Sequence, residues 1–207
     1  MFAPMVIVCL NVGPSMRNHF ASYGFWAPAL GDYETHGHLD LTESEEFQNL
    51  TSVDDPYGYR DLLELPKLIV NSTGDEYFLP DSWKFYFSEL PGEKHLCYVP
   101  NTDHSLDDSD AIDRIAAFCK IICCDANRPE FEWSFAEDGS IVLAFQTQPS
   151  RVTQWTAHNP QARDFRLETL GAAYRSQQLE PGDDGQYVCT PPEIDSGWAA
   201  YFLEVEF

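Results

Sequence analysis

Two rhythms of hydrophobic positions divide the chain near Asn127-Arg128-Pro129. Before that point apolar runs alternate with helix-like stretches; after it every apolar run is short and strand-like. The opening run Met5-Val6-Ile7-Val8-Cys9-Leu10 is unbroken and rich in β-branched residues, the pattern of a strand buried on both faces of a parallel sheet. A long excursion over residues 13–65 follows. It holds the aromatic and turn residues Tyr23-Gly24-Phe25-Trp26-Ala27-Pro28 and an acidic stretch over 42–53 that predicts a helix. Pro66-Lys67-Leu68-Ile69-Val70-Asn71 predicts the next strand and Ser72-Thr73-Gly74-Asp75 a turn. Pro80-Asp81-Ser82 marks the start of a short aromatic helix over 83–90. Another strand, over 95–99, runs into Pro100-Asn101-Thr102-Asp103-His104-Ser105. The acidic run Asp107-Asp108-Ser109-Asp110 then opens a helix, whose positive amino end it favours. Ile112, Ile115, Ala116, Cys119 and Ile122 recur at helical spacing and predict its apolar face.

Strand, loop and helix in alternation are the grammar of a parallel α/β sheet, assigned here to residues 1–126. In residues 127–207 the predicted strands fall at 131–135, 141–146, 152–157, 185–189 and 198–207. Turn signals such as Glu137-Asp138-Gly139 and Pro191-Pro192 separate them. Ile141, Leu143 and Phe145 alternate with smaller residues, so this second domain is expected to be a small antiparallel sandwich of immunoglobulin or fibronectin type. An opening strand that lacks its sheet neighbours predicts a chain forming the C-terminal part of a longer protein.

Charge narrows the partners. The 207 residues carry 34 Asp and Glu against 12 Lys and Arg, a formal charge of −22. Such a surface repels phosphate backbones and anionic lipid heads, which argues against nucleic-acid and membrane-surface binding. No apolar run reaches the length that crosses a bilayer, so no membrane insertion is expected. The first ten residues lack the basic start and cleavage signal of a secretory leader. Six cysteines, at 9, 97, 119, 123, 124 and 189, form no C-x-x-C pair. Cys9, Cys97 and Cys119 read as buried thiols. Cys123-Cys124 or Cys189 remain open to a disulfide.

The candidate chemistry rests on two residues. In open α/β sheets working groups sit just past the carboxyl ends of strands, and Asp75 and His104 occupy such places after successive strands. That order fits the acid and base of a Ser…Asp…His triad: His104 would move the proton of a serine hydroxyl, and Asp75 would hold the imidazole tautomer. Singly, each has a blander reading, as a turn residue or a surface histidine. Together they favour the triad. Asp81 reads as a helix cap and Asp103 as a loop acid. No G-x-S-x-G occurs; Gly13-Pro14-Ser15 is the nearest approach, but Met16-Arg17 replaces the glycine an elbow needs, so Ser15 is a poor nucleophile. His36 and His38 lack the further ligands a metal site needs and read as a polar loop. Neither a metal nor a cofactor is called for. Tyr23 and Trp26, with Phe25, are candidates to line a substrate pocket, although packing accounts for at least two of the three.

These residues also carry a family resemblance. Tyr23-Gly24-Phe25-Trp26-Ala27-Pro28-Ala29, Asp55-Pro56-Tyr57-Gly58-Tyr59-Arg60-Asp61, Leu65-Pro66-Lys67-Leu68, Gly74-Asp75, Phe78-Leu79-Pro80-Asp81 and Pro100-Asn101-Thr102-Asp103-His104-Ser105-Leu106 resemble the PhoPQ-activated pathogenicity-related protein family, as do Ala162-Arg163-Asp164-Phe165-Arg166 and Gly197-Trp198. The resemblance implies the C-terminal portion of an α/β-hydrolase domain followed by a small β domain, in a secreted or periplasmic protein. It places Asp75 and His104 at the triad acid and base. The family's glycine-flanked Ser followed by Lys-Arg-Gly has no counterpart here and belongs upstream of the opening strand. Two functions are then expected in competition. One is a fragment of a serine hydrolase cleaving peptide or ester bonds, its Ser supplied from outside this chain. The other is a non-catalytic secreted signalling or binding protein, with a protein partner, on a hydrolase scaffold.

Overall fold

The computed structural model describes residues 1–7, 10–124 and 126–207. It is a mixed α/β fold with one small parallel sheet and two small antiparallel ones. Strands β1 (Lys67–Ser72) and β2 (Lys94–Val99) pair in parallel, from Lys67 opposite Lys94 to Ser72 opposite Val99. Ile69 and Val70 have no exposed surface, and nearly all of β1 is buried, its polar residues Lys67, Asn71 and Ser72 included.

The opening segment joins β1 less regularly than its pattern suggests. It makes parallel bridges of Phe2 with Lys67 and of Met5 with Val70, but it forms no continuous strand over the described residues. Pro4 has no N–H to offer, and Val6 sits in the left-handed region at φ 45°, which breaks the ladder. Phe2 and Met5 stay well exposed, so the expectation of burial on both faces is corrected. Val8 and Cys9 lie outside the described residues, and the readings placed on them with them.

The excursion is helical. Helix α1 (Val12–Tyr23) begins after Asn11, itself left-handed, and its first amides are capped from far along the chain. Asn11 N and Val12 N donate to Oδ1 and Oδ2 of Asp55 at 3.1 and 2.8 Å. The same carboxylate caps the 3-10 turn Pro56–Leu62 through Tyr57 N at 2.9 Å, which explains the Asp55-Pro56-Tyr57 signature. A short α2 (Gly31–Thr35) and the acidic α3 (Glu45–Asp54) follow. Ser44 caps α3 through Phe47 N at 3.1 Å, so this helix starts three residues later than predicted. The aromatic helix expected over 83–90 is instead two 3-10 turns, Pro80–Phe85 and Phe87–Glu89, broken at the buried Tyr86. Asp81 is no cap: it pairs with Lys84, Arg163 and Asn18.

Helix α4 (Ala111–Cys123) turns Ala111 and Phe118 inward. Ile115 of the predicted face does pack against the buried cluster of Val70, Val99, Leu106 and Ala111, but Ile112 is 66% exposed and Ala116 is exposed too, so the face is corrected by about one position. The large Phe118 ring, left out of the predicted stripe, takes the inner side.

In the last third, β3 (Phe131–Phe135), β4 (Ile141–Phe145) and β7 (Tyr187–Cys189) form one antiparallel sheet. Strands β5 (Arg151–Asn159), β6 (Arg175–Gln178) and β8 (Trp198–Glu206) form the other, with β5 central. Leu143, Val152 and Tyr187 build an apolar cluster that draws on both sheets. β6 and the one-turn α5 (Leu167–Leu170) were not predicted; the polar Arg-Ser-Gln-Gln of β6 carries no hydrophobic rhythm. Among the described residues no helix is long and apolar enough to cross a membrane.

Candidate active site

The carboxyl ends of β1 and β2 are stitched together by their own loops. The Ser72 hydroxyl and Gly74 N donate to the Thr102 carbonyl at 2.6 and 2.9 Å, and Asn101 N donates to Thr73 Oγ1 at 2.8 Å. A third segment closes on them: Leu167 N donates to the Gly74 carbonyl at 2.9 Å. The Asn101 amide pairs both ways with the Tyr174 backbone, at 3.1 and 2.9 Å. There is no room for a side chain at Gly74, where a Cβ would lie 2.7 Å from the Thr102 carbonyl oxygen and 2.8 Å from Leu167 N. Gly74→Ala is therefore expected to destabilise the protein by about 1–3 kcal/mol, read as a lower midpoint in urea. A midpoint equal to wild type would refute this close approach.

Asp75 emerges from that junction. Its side chain is buried, 3% exposed, and Oδ1 accepts the backbone N–H groups of Tyr77 and Phe78 at 2.8 and 2.9 Å. His104 Nδ1 lies 3.0 Å from Oδ2 and 3.2 Å from Oδ1. Facing a carboxylate, Nδ1 carries the proton and donates, which leaves Nε2 as the basic nitrogen. Among the described residues nothing hydrogen-bonds to Nε2. The rings of Tyr77 and Phe78 flank the imidazole, at 4.6 and 5.3 Å between centroids, while about a third of the side chain stays open. Burial raises the Asp75 pKa above the ordinary carboxyl value. The Phe78 N–H, the His104 contact and the Tyr77 N–H pull against it.

Glu76 was not singled out in the sequence. Its Oε2 accepts the backbone N–H of His104 at 3.0 Å, tying the loop of the base to the neighbour of the acid. No motif announces such a residue; only its adjacency to Asp75 is legible.

The other predicted residues gather around a different imidazole. His19 in α1 is buried, and its Nε2 accepts Ala27 N at 3.1 Å. Tyr23 packs edge-on to His19 at 4.7 Å and Trp26 stacks on it at 5.6 Å. Burial pushes the His19 pKa down to about 4; the nearby Tyr77 backbone offsets only part of that, and Nδ1 closes no hydrogen bond. His19 is thus a neutral packing histidine. Trp26 joins the cluster of Met16, Leu30 and Leu39 against which Tyr77 and Phe78 also pack, so it meets His104 only at second hand. Tyr23 and Phe25 lie under the Arg166 guanidinium, which Asp164 grips with two hydrogen bonds of 3.0 and 2.7 Å.

Tyr23 and Asp75 also line a crevice of about 1020 Å³, together with Trp83, Tyr98, Trp133 and Tyr174, and His104 is not on its wall. The crevice therefore reaches the acid and not the base. Ser15 is buried with its hydroxyl turned back to the Asn11 carbonyl at 3.2 Å. Asp103 holds its own loop by accepting from the Ser105 amide and hydroxyl at 2.9 and 2.6 Å. His36 and His38 lie 6.0 Å apart between ring centres. Among the described residues no three His, Cys, Asp or Glu converge in a way that could hold a metal ion. Cys97 lies against Arg114, and Cys189 is fully buried in β7 as a free thiol.

Comparison with known proteins places these residues in a family. Residues 1–166 match the family model described as PhoPQ-activated pathogenicity-related protein. The chain is also 35% identical over 226 aligned positions to Autocrine proliferation repressor protein A of Dictyostelium discoideum. That alignment takes in 99% of this chain and 46% of the relative, so the chain spans just under half the length of that protein. No solved structure matches it significantly. Asp75, His104, Asp164 and Arg166 all fall within the residues the family model matches.

Proposed function

The chain belongs to the PhoPQ-activated pathogenicity-related protein family, and from that premise we propose that it is the C-terminal part of a secreted serine-hydrolase-like protein of the α/β-hydrolase superfamily. In this reading residues 1–126 supply the last strands of the hydrolase sheet and residues 127–207 a β-sandwich. The reaction is hydrolysis of a peptide or ester bond. The observation that carries it is the 3.0 Å contact between a buried Asp75 and a His104 whose Nε2 is unengaged. A serine oxygen delivered to Nε2 loses its proton to the imidazole as it attacks the carbonyl carbon. The imidazolium, held by Asp75, then returns that proton to the leaving group. The nucleophile comes from chain outside residues 1–207.

A covalent probe tests this. In the longer protein, a fluorophosphonate is expected to label one serine upstream of residue 1, and His104→Ala is expected to abolish labelling with the fold intact. Full labelling of that variant would remove His104 from the mechanism.

One observation favours a second reading, a non-catalytic secreted signalling protein. The relative in Dictyostelium bears the name of a proliferation repressor. Under that reading, His104→Ala leaves the biological effect of the longer protein unchanged; under the hydrolase reading the effect is lost with the labelling.

A further inference from the structure

The loop that carries the base is tied to the rest of the fold at few points. From Asp103 to Ser109, among the described residues, hydrogen bonds to other segments come from His104 alone. Its Nδ1 donates to Asp75, and its backbone N–H donates to Oε2 of Glu76 at 3.0 Å. The remaining bonds stay within the loop or join it to α4. The Ser105 amide and hydroxyl donate to Asp103, Asp107 N donates to Ser105 Oγ at 3.1 Å, and the Ser109 hydroxyl donates to the Leu106 carbonyl at 2.6 Å. We propose that Glu76 is a positioning residue for the base: its carboxylate holds the His104 backbone where the ring meets Asp75 and presents Nε2.

Two features give that contact more weight than an ordinary surface bond. The loop is strained. Leu106 and Asp108 sit in the left-handed region at φ 56° and 54°, and a leucine stays there only where its surroundings impose it. Leu106 is buried against Val70, Val99 and Ala111, so packing anchors the loop at residue 106 and leaves the hydrogen bonding of residue 104 to the two carboxylates. The second feature is adjacency. Asp75 and Glu76 are consecutive, and the Tyr77 and Phe78 amides fix Asp75 in its turn. One short turn thus grips the same histidine twice, at ring and at backbone. A carboxylate facing an N–H makes a charge-assisted bond, about twice as strong as a neutral one.

The inference rests on the hydrolase reading of Asp75 and His104 and adds a residue to it. Without the tether the loop relaxes from its left-handed turns, and Nε2 faces the serine in only a fraction of the molecules. The rate scales with that fraction, and losing one hydrogen bond to a charged acceptor moves such an equilibrium about tenfold.

The test uses the longer protein and two readings. With a fluorophosphonate, Glu76→Ala is expected to lower the maximal labelling rate about tenfold and to leave the half-saturating probe concentration unchanged. Glu76→Gln keeps an oxygen for the His104 N–H and is expected to label within about threefold of wild type. By proton NMR, the Nδ1 proton that His104 shares with Asp75 is expected as a slowly exchanging resonance in wild type and Glu76→Gln. It is absent from His104→Ala and broadened by exchange with water in Glu76→Ala. Labelling of folded Glu76→Ala at the wild-type rate overturns the proposal, whatever its Tm. So does a Glu76→Gln form as impaired as Glu76→Ala. If wild type takes up no fluorophosphonate, the hydrolase reading falls, and the resonance decides the tether: sharp in Glu76→Ala overturns it, broadened upholds it.

Discussion

Asp75→Asn is expected, on the proposed hydrolase reading, to lower hydrolysis by the longer protein about 10⁴-fold while leaving its stability at neutral pH equal to wild type or higher. Both halves follow from the same hydrogen bonds. The Asn carbonyl oxygen takes the place of Oδ1 and keeps the Tyr77 and Phe78 amides, so the turn survives. The Asn amide then stands where Oδ2 met His104 Nδ1, and it is a donor. His104 answers by carrying its proton on Nε2, so the nitrogen that should accept from serine is occupied. No imidazolium can be stabilised by a neutral amide, and the loss falls on kcat more than on KM.

Stability moves the other way because the carboxylate is a burden to the fold. Burial holds the Asp75 pKa above its unfolded value, so the folded state binds the proton more tightly than the unfolded chain does. The stabilisation belonging to such a group is fully present below the unfolded pKa and is lost as pH rises through the folded one. Wild type and Asp75→Asn are thus expected to converge in urea midpoint on acidification towards pH 4 and to separate, in favour of the variant, above it. An ordinary capping Asp gives the reverse order at neutral pH. A midpoint for Asp75→Asn far below wild type at pH 7 would show that the carboxylate serves the turn, and the triad reading would lose its main support.

How far the sequence discloses this site depends on the kind of interaction involved. The meeting of Asp75 and His104 is legible because each follows an apolar run and a turn signal, and parallel strands present such loops at one end. Glu76 escapes because its contact is with a backbone N–H, which no side-chain pattern encodes. The same is true of the Leu167 and Tyr174 backbone contacts, which bring the last third of the chain to the acid and base loops. Asp55 illustrates the other limit: its sequence signature is plain, but its work, capping a helix 43 residues earlier, depends on the excursion folding back. Rhythm likewise places β3, β4, β5, β7 and β8 but not the polar β6, whose register is set by β5 alone. In α4 the periodicity is right and the phase is wrong, because Phe118 outweighs the smaller residues of the predicted stripe.

Lys67 is the case where a legible residue hides the largest structural effect. It opens β1 in the middle of an apolar stretch, where a charge is unexpected, and it is 2% exposed. Its Nζ donates to three backbone carbonyls, of Leu63 at 2.6 Å, Leu65 at 2.8 Å and Pro91 at 2.6 Å. An ammonium has three donors and no acceptor, so every proton it carries is used. It thereby fastens the end of the excursion and the approach to β2 onto the first residue of β1. Lys67→Met matches the stem but leaves the three carbonyls without that donor. A buried group so orphaned costs about 1–3 kcal/mol, and three around one site do not add fully. A loss of about 3 kcal/mol is expected, or about 6–12 °C in Tm for a chain of this size. Lys67→Arg is not expected to rescue it, since a planar fork cannot point at three carbonyls arranged around a tetrahedral nitrogen. Because Lys67 sits at the amino end of β1 and Asp75 past its carboxyl end, the loss should be confined to stability. Below its lowered Tm the Lys67→Met form of the longer protein is expected to react with a fluorophosphonate at the wild-type rate. Slower labelling at a temperature where circular dichroism shows the variant folded would mean that the two ends of the strand are coupled, and that the Asp75–His104 geometry depends on this anchor as well as on its own loops.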